Sequence, residues 1–290
     1  MRSTRRSSAC DPPGKADHVK ILISVDIEGI AGVVDPEQTR PGNPEYERAR
    51  RLMTGEASAA IRGAFDGGAT AVLVNDSHGN FRNLIAEDLD PRAELIQGKP
   101  RELAMMAGVD QDCAAVFLVG WHARARAPGT LAHTVNGFAF GRIVVNGAET
   151  GEAGLYGAVA AEYNAPVALC TGDDAFVAET APLFPGAIGV AVKRTLGQRA
   201  ASCLSPQAAA AAIAAGAKEA AARCPELRLR PVQVPATLRV EATGVALADL
   251  FATLPILRRV DALTVEFTSP TMRHAIRVLN SLSAMSSTLR

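Results

Sequence analysis

The strongest constraint on this chain is a rhythm in which short apolar runs alternate with segments of helical character. Val19 to Val25 (VKILISV), Ala69 to Val74 (ATAVLV) and Ala114 to Val119 (AAVFLV) are nearly continuous apolar stretches. Strands of this kind are buried on both faces, as they are inside a parallel sheet covered by helices. A helix is predicted from Glu45 to Asp66, with Gly67-Gly68 as its stop. Arg142 to Val145 reads as a strand ending in the Asn146-Gly147 turn, and Glu152 to Tyr163 as a helix. Pro166 to Cys170 (strand), Asp174 to Leu183 (helix) and Ala187 to Val192 (strand) continue the alternation. The expected class is α/β, with a mostly parallel sheet flanked by helices.

From Ser205 the texture changes. Ser205-Pro206 is a good helix cap and first-turn pair, followed by an alanine-rich helix to Arg223. Strand Val232 to Glu241, helix Ala246 to Thr253, strand Ala262 to Phe267 and helix Met272 to Leu282 come next. These predict a smaller C-terminal α/β lobe. The expected organisation is a disordered tail at 1–18, a catalytic α/β metal-binding domain at 19–200 and the lobe at 201–290.

Composition removes several classes of function. The chain has 290 residues, 48% hydrophobic and 21% charged, which suits a sizeable core rather than wholesale disorder. Thirty basic and thirty acidic residues cancel, so bulk attraction to nucleic acid or an anionic membrane is not expected. No apolar run reaches the roughly 18–20 residues of a membrane-spanning helix. Met1 to Asp17 carries Arg2, Arg5 and Arg6 without the apolar segment of a signal peptide, so the cytoplasm is the expected compartment. Cys10, Cys113, Cys170, Cys203 and Cys224 are irregularly spaced with no CxxC pair, which argues against a disulfide framework or a thiolate zinc site. Cys170, ending an apolar run, reads as a core thiol.

The chemistry lies at the end of each apolar run. The first leads into Ser24-Val25-Asp26-Ile27-Glu28-Gly29, the second into Asn75-Asp76-Ser77-His78-Gly79, and the third into Gly120-Trp121-His122. Ligands in open α/β sheets bind at the carboxyl ends of strands, so these residues are placed to converge. Asp26 and Glu28, two apart, project from one side of an extended chain. Carboxylates mixed with imidazoles suit zinc, manganese or a similar divalent ion. Asp76 is open to a second reading as a turn cap, and His78 and His122 to structural ones. Asp173-Asp174 lies at another strand end, where it could meet a substrate amine or cap the next helix.

SVDIEG at 24–29, VNDSHG at 74–79, GWHARA at 120–125, AHT at 132–134 and GEAGL at 151–155 together resemble the M55 family of metallopeptidases, whose best-known type is a zinc-dependent D-aminopeptidase. The likeness runs in collinear order over roughly residues 19 to 283. It implies two zinc ions per subunit, bridged by Asp26 and completed by Glu28, His78, His122 and Glu152, with His133 as the catalytic histidine. It further implies a ring-like homo-oligomer, a decamer of two stacked pentamers being known in the family, that admits short peptides or aminoacyl amides. Two zincs against three carboxylates leave positive charge that would favour a metal-bound hydroxide near neutral pH. His133 would then deliver a proton to the leaving amine. Two other readings stay open. One is a metal-dependent amidohydrolase or phosphoesterase acting on a non-peptide substrate, for which Arg124 and Arg126 could hold phosphate. The other is a catalytically silent metal-binding assembly protein.

Overall fold

β1 (Lys20–Val25) has two faces and both are buried. In the computed structural model, which describes residues 19–229 and 231–290, Ile21, Ile23 and Val25 pack into one core, and Leu22 into another on the opposite side. Each such fully buried aliphatic side chain stabilises the fold by roughly 1.5–3 kcal/mol. The expected tail at 1–18 lies outside the described residues.

The chain continues through α1 (Pro44–Asp66), β2 (Ala71–Asp76), β3 (Glu94–Ile96), β4 (Ala115–Trp121), β5 (Phe140–Val145) and β6 (Ala148–Thr150). Next come α2 (Glu152–Glu162), β7 (Val167–Asp173), α3 (Asp174–Thr180), β8 (Ile188–Gly197), β9 (Ala200–Cys203) and α4 (Pro206–Ala222). The last elements are β10 (Ala236–Ala242), α5 (Val245–Ala252), β11 (Arg258–Arg259), β12 (Thr264–Ser269) and α6 (Met272–Ser286). Among the described residues, no helix is long and apolar enough to cross a membrane.

The central sheet has the order β3-β2-β1-β4-β7-β8-β9, parallel throughout except for β9. From β1 the chain moves outward to β2 and β3, then returns to pair β4 against the other side of β1. This reversal opens a crevice at the carboxyl ends of β1 and β4, where α/β sheets bind ligands. One face is covered by α1 and α4, which pack on each other. Ser205 caps α4 as the sequence predicts, accepting from Ala208 N at 3.3 Å, and Asn43 caps α1, accepting from Tyr46 N at 2.9 Å. The other face carries α2, α6 and a second, antiparallel sheet of order β11-β12-β10-β5-β6. The chain enters that sheet twice, at β5–β6 and again at β10–β12. The α/β class and the mostly parallel sheet agree with the sequence reading.

The loops after β1 and β4 meet backbone to backbone. Gly29 N donates to Gly120 O at 2.7 Å, and a Cβ at position 29 would stand 2.0 Å from the Trp121 carbonyl oxygen. Only glycine permits this approach. Gly29→Ala is expected to cost on the order of 3 kcal/mol, measured by chemical denaturation, because the clash is with backbone that cannot swing aside.

Candidate metal centre

Asp26, immediately after β1, has its backbone N–H bound to Val119 O at 2.9 Å, which locks it beside the end of β4. Its Oδ1 accepts from Ile27 N at 2.8 Å. Glu28 is next but one on the same loop, and both carboxylates are buried. The loop is clamped from behind: Lys193 of β8 donates to the carbonyls of Glu28, Ile30 (3.2 Å) and Val33 (2.6 Å), while Glu56 of α1 accepts from Ala31 N at 2.9 Å.

His78 is carried by the loop after β2. Its Nε2 faces Thr39 O at 2.8 Å, and its Nδ1 lies 3.2 Å from Asp26 Oδ1 and 3.0 Å from Glu28 Oε2. His122 comes directly after β4, with Nδ1 on Ala123 O at 3.0 Å and Nε2 3.5 Å from Asp26 Oδ2 and 3.4 Å from Glu152 Oε1. His133 stacks on His122 with ring centroids 4.1 Å apart; its Nδ1 faces Leu131 O at 3.0 Å and its Nε2 lies 3.8 Å from Glu152 Oε1. Glu152 opens α2 and also accepts from Val135 N at 2.6 Å, tying down the loop that carries His133.

A carbonyl oxygen can only accept, so in each histidine the nitrogen facing it holds the ring proton. The other nitrogen of each neutral ring then presents a lone pair to carboxylate oxygens, which are acceptors too. Acceptors crowded around acceptors call for a cation. Fittingly, His122 Nε2 and Glu28 Oε2 are buried without a hydrogen-bond partner. Ligand atoms of Asp26, Glu28 and His122 lie within 4.8 Å of one another, as do those of His122, His133 and Glu152. Anchoring one imidazole N–H on backbone while the other nitrogen faces carboxylates is how metal-ligating histidines are oriented. The donor set is hard oxygen plus imidazole nitrogen, which fits zinc.

The electrostatics carry the same strain. Burial opposes protonation of His78, yet the Glu28 and Asp26 carboxylates hold its pKa well above the ordinary value. His122 rises to about 10 despite burial, chiefly because of Glu152. Burial, reinforced by Glu28, pushes Asp26 up to about 7. Glu28 is also desolvated, but His78 holds it well below the usual range. Burial and the adjacent His122 lower His133.

Behind the site, burial pushes the Glu56 carboxyl up to about 7, only partly countered by the Ala31 N–H. A carboxyl whose pKa is raised on folding stabilises the fold while protonated, and that contribution is lost as pH rises between the unfolded and folded values. Stability of the wild type relative to Glu56→Gln is therefore expected to fall by roughly 3 kcal/mol between pH 5 and pH 8, measured by urea denaturation.

All six residues picked out by the motifs come together at one sheet edge. Other candidates have structural work. Asp76 accepts from Asn83 Nδ2 (2.7 Å) and Leu84 N (2.8 Å), pinning the loop of His78. Asp173 caps α3 through Phe176 N (2.7 Å) and holds Thr130 N (2.6 Å), which anchors the loop of His133. Arg124 lies 3.8 Å from Glu149, and Arg126 pairs with Glu241. A cavity of about 710 Å³ opens over Asp26, Glu28, His78, His133 and Glu152. Neither arginine lines it. Tyr156, Asn280 and Ser283 do, and nothing in their spacing marks them as site residues.

The family model for M55 peptidases, described as D-aminopeptidase, matches residues 19–281. A D-aminopeptidase of Bacillus subtilis (strain 168) is 40% identical over 188 residues, 65% of this chain and 68% of that protein. Among solved structures, the zinc-dependent D-aminopeptidase DppA from Bacillus subtilis, described as a self-compartmentalizing protease, superposes with a TM-score of 0.90 at 31% identity. That superposition covers 93% of this chain and 98% of the other. With the match running from β1 into α6 and the motif residues gathered at the sheet's switch point, the chain belongs to the M55 peptidase family.

Proposed function

We propose that this chain is a dinuclear zinc aminopeptidase that cleaves short peptides or aminoacyl amides bearing an N-terminal D-residue. The observation that carries this reading is the set of three histidines, each with one ring nitrogen on a backbone carbonyl and the other facing buried carboxylates, beneath an open cavity. Asp26 touches both halves of the cluster and would bridge the ions. Glu28 and His78 would complete one side, His122 and Glu152 the other. A zinc pair supplies Lewis acidity, polarising the scissile carbonyl and activating water for attack.

His133 is assigned the proton transfer. Its Nδ1–H is fixed on Leu131 O, which leaves Nε2 to take and give up a proton, and its side chain is 27% exposed among groups that are nearly sealed. A pKa lowered by burial and by His122 leaves the ring able to release its proton near neutral pH. Glu152 is suited to steady the imidazolium from 3.8 Å. The substrate cavity also draws Asn280 and Ser283 from the proposed 201–290 lobe, while every proposed ligand lies in the 19–200 body. Arg124 and Arg126, the two arginines that could have held a phosphate, are ion-paired outside the cavity.

By likeness to the self-compartmentalizing relative, we propose a ring-like homo-oligomer, to be measured by light scattering after size-exclusion chromatography. The activity is tested by loading the protein with zinc and screening D- and L-aminoacyl amides and dipeptides. Hydrolysis of the D-series with about two zincs per chain is expected. Absence of any amide hydrolysis by the loaded protein overturns the reading.

A further inference from the structure

The cavity over the metal centre has a cationic side that the proposed mechanism does not use. Lys99 and Arg101 line it, on the loop after β3. This loop is bonded to the one that carries His78. Phe81 N donates to His78 O at 2.7 Å, Gly98 N to Phe81 O at 2.6 Å, and Lys99 Nζ to Gly79 O at 3.2 Å. Arg101 donates to the carbonyls of Asp76, Ala104 (3.0 Å) and Ile96 (3.3 Å), with its guanidinium carbon 4.1 Å from the Phe81 ring centroid. Lys99 Nζ stands 5.9 Å from the same centroid.

Both charges are satisfied only by neutral groups. Among the described residues, no carboxylate lies within ion-pair distance of Lys99 or Arg101. The acid next in sequence, Glu102, is turned to Arg273 (3.4 Å) and Arg277 (3.3 Å) of α6. Asp76, the main charge opposing the burial of Arg101, is spent on Asn83, Leu84 and Gln97. Three backbone acceptors leave Arg101 with spare N–H donors, and Lys99 has two. These donors are held against a ring, beside a centre that would cut an amide.

We infer that Lys99 and Arg101 bind the free carboxylate of a dipeptide substrate and set a preference for peptides that end one residue beyond the scissile bond. The inference rests on the aminopeptidase reading above. Lys99 is hydrogen-bonded to the residue adjoining His78, and a peptide advances only about 3.3–3.6 Å per residue. A terminal carboxylate just past the metal centre therefore falls in reach of this cationic side. A blocked C-terminus forfeits a charge-assisted hydrogen bond there. Arg101, rigid and stacked, fixes the position; Lys99, exposed and flexible, closes on the anion.

The test compares a D,D-dipeptide with its C-terminal amide, both on zinc-loaded full-length protein. Wild type is expected to favour the free acid by tenfold or more in kcat/KM. Lys99→Ala should lower kcat/KM for the free acid about tenfold, mostly through KM, and Lys99→Glu about a hundredfold, with the amide changed less than threefold. Lys99→Arg should restore the preference. Lys99 is exposed, and its variants are expected to melt as wild type does. No preference in the wild type, or an equal loss on both substrates in Lys99→Glu, overturns the assignment and leaves the aminopeptidase reading intact. A loaded wild type that cleaves neither substrate overturns both.

Discussion

Replacing Asp26 with alanine is expected to remove both metal and activity. Asp26 is the residue through which the two halves of the cluster meet, with Oδ1 beside His78 and Oδ2 beside His122. Its loss would withdraw a charge from both proposed ions at once and take away the carboxylate that stands 3.2 Å from His78 and 3.5 Å from His122. Metal affinity should drop more than about a hundredfold, beyond what loss of an outer-shell partner costs. Hydrolysis should fall by roughly three decades or more, since a bound ion contributes several kcal/mol of transition-state charge stabilisation. Asp26→Asn is the sharper variant, because its amide oxygen can still accept from Ile27 N and so keeps the loop while removing the charge. Zinc per chain after dialysis is the measurement. Near-normal content in Asp26→Asn would remove Asp26 from the bridging position.

His133→Ala is expected to separate chemistry from metal binding. Zinc content should remain close to wild type, because Asp26, Glu28, His78, His122 and Glu152 are untouched. kcat should fall by about 10²–10⁴, the range for losing a general acid or base, with little change in KM. The limb of the pH–rate profile belonging to His133 should disappear as well. The stack on His122 warns of another outcome. If His133 serves mainly to hold that ring, or is itself a ligand with His122 and Glu152, zinc content will fall along with kcat. Unchanged turnover would exclude His133 from the reaction.

Much of the fold is legible in the sequence because the central strands are buried on both faces and have no choice but to be apolar. β1, β2, β4 and β7 announce themselves in this way. The peripheral strands do not. β3, β6 and β11 have two or three residues each, lie at or near sheet edges and show no periodicity. β8 continues past Val192 through Lys193, Arg194 and Thr195 because it pairs with β9, and that pairing is invisible in composition. The strand expected from Val232 begins only at Ala236, beyond Pro231 and Pro235, which lack the N–H a ladder needs.

The site divides along the same line. Asp26, His78 and His122 come after apolar strands, so their convergence can be read from position alone. His133 sits on an irregular loop held by Asp173, Glu152 and Gln198, and only the likeness to a family points to it. Lys99 and Arg101 stay hidden in the sequence because their meaning depends on which carboxylates are already committed elsewhere. No spacing rule reports that.

The proposed ligands span residues 26 to 152, drawn from three strand ends and the first turn of a helix. No short stretch of nascent chain holds enough of them to capture an ion, unlike a zinc finger, where metal and folding are one event. Zinc should therefore act late, as a lock on a finished sheet rather than a seed for it. Its effect on stability is that of a ligand for the native state, growing with the logarithm of free zinc. The metal-free chain is then expected to refold at the same rate with or without zinc, and the metal to slow only its unfolding.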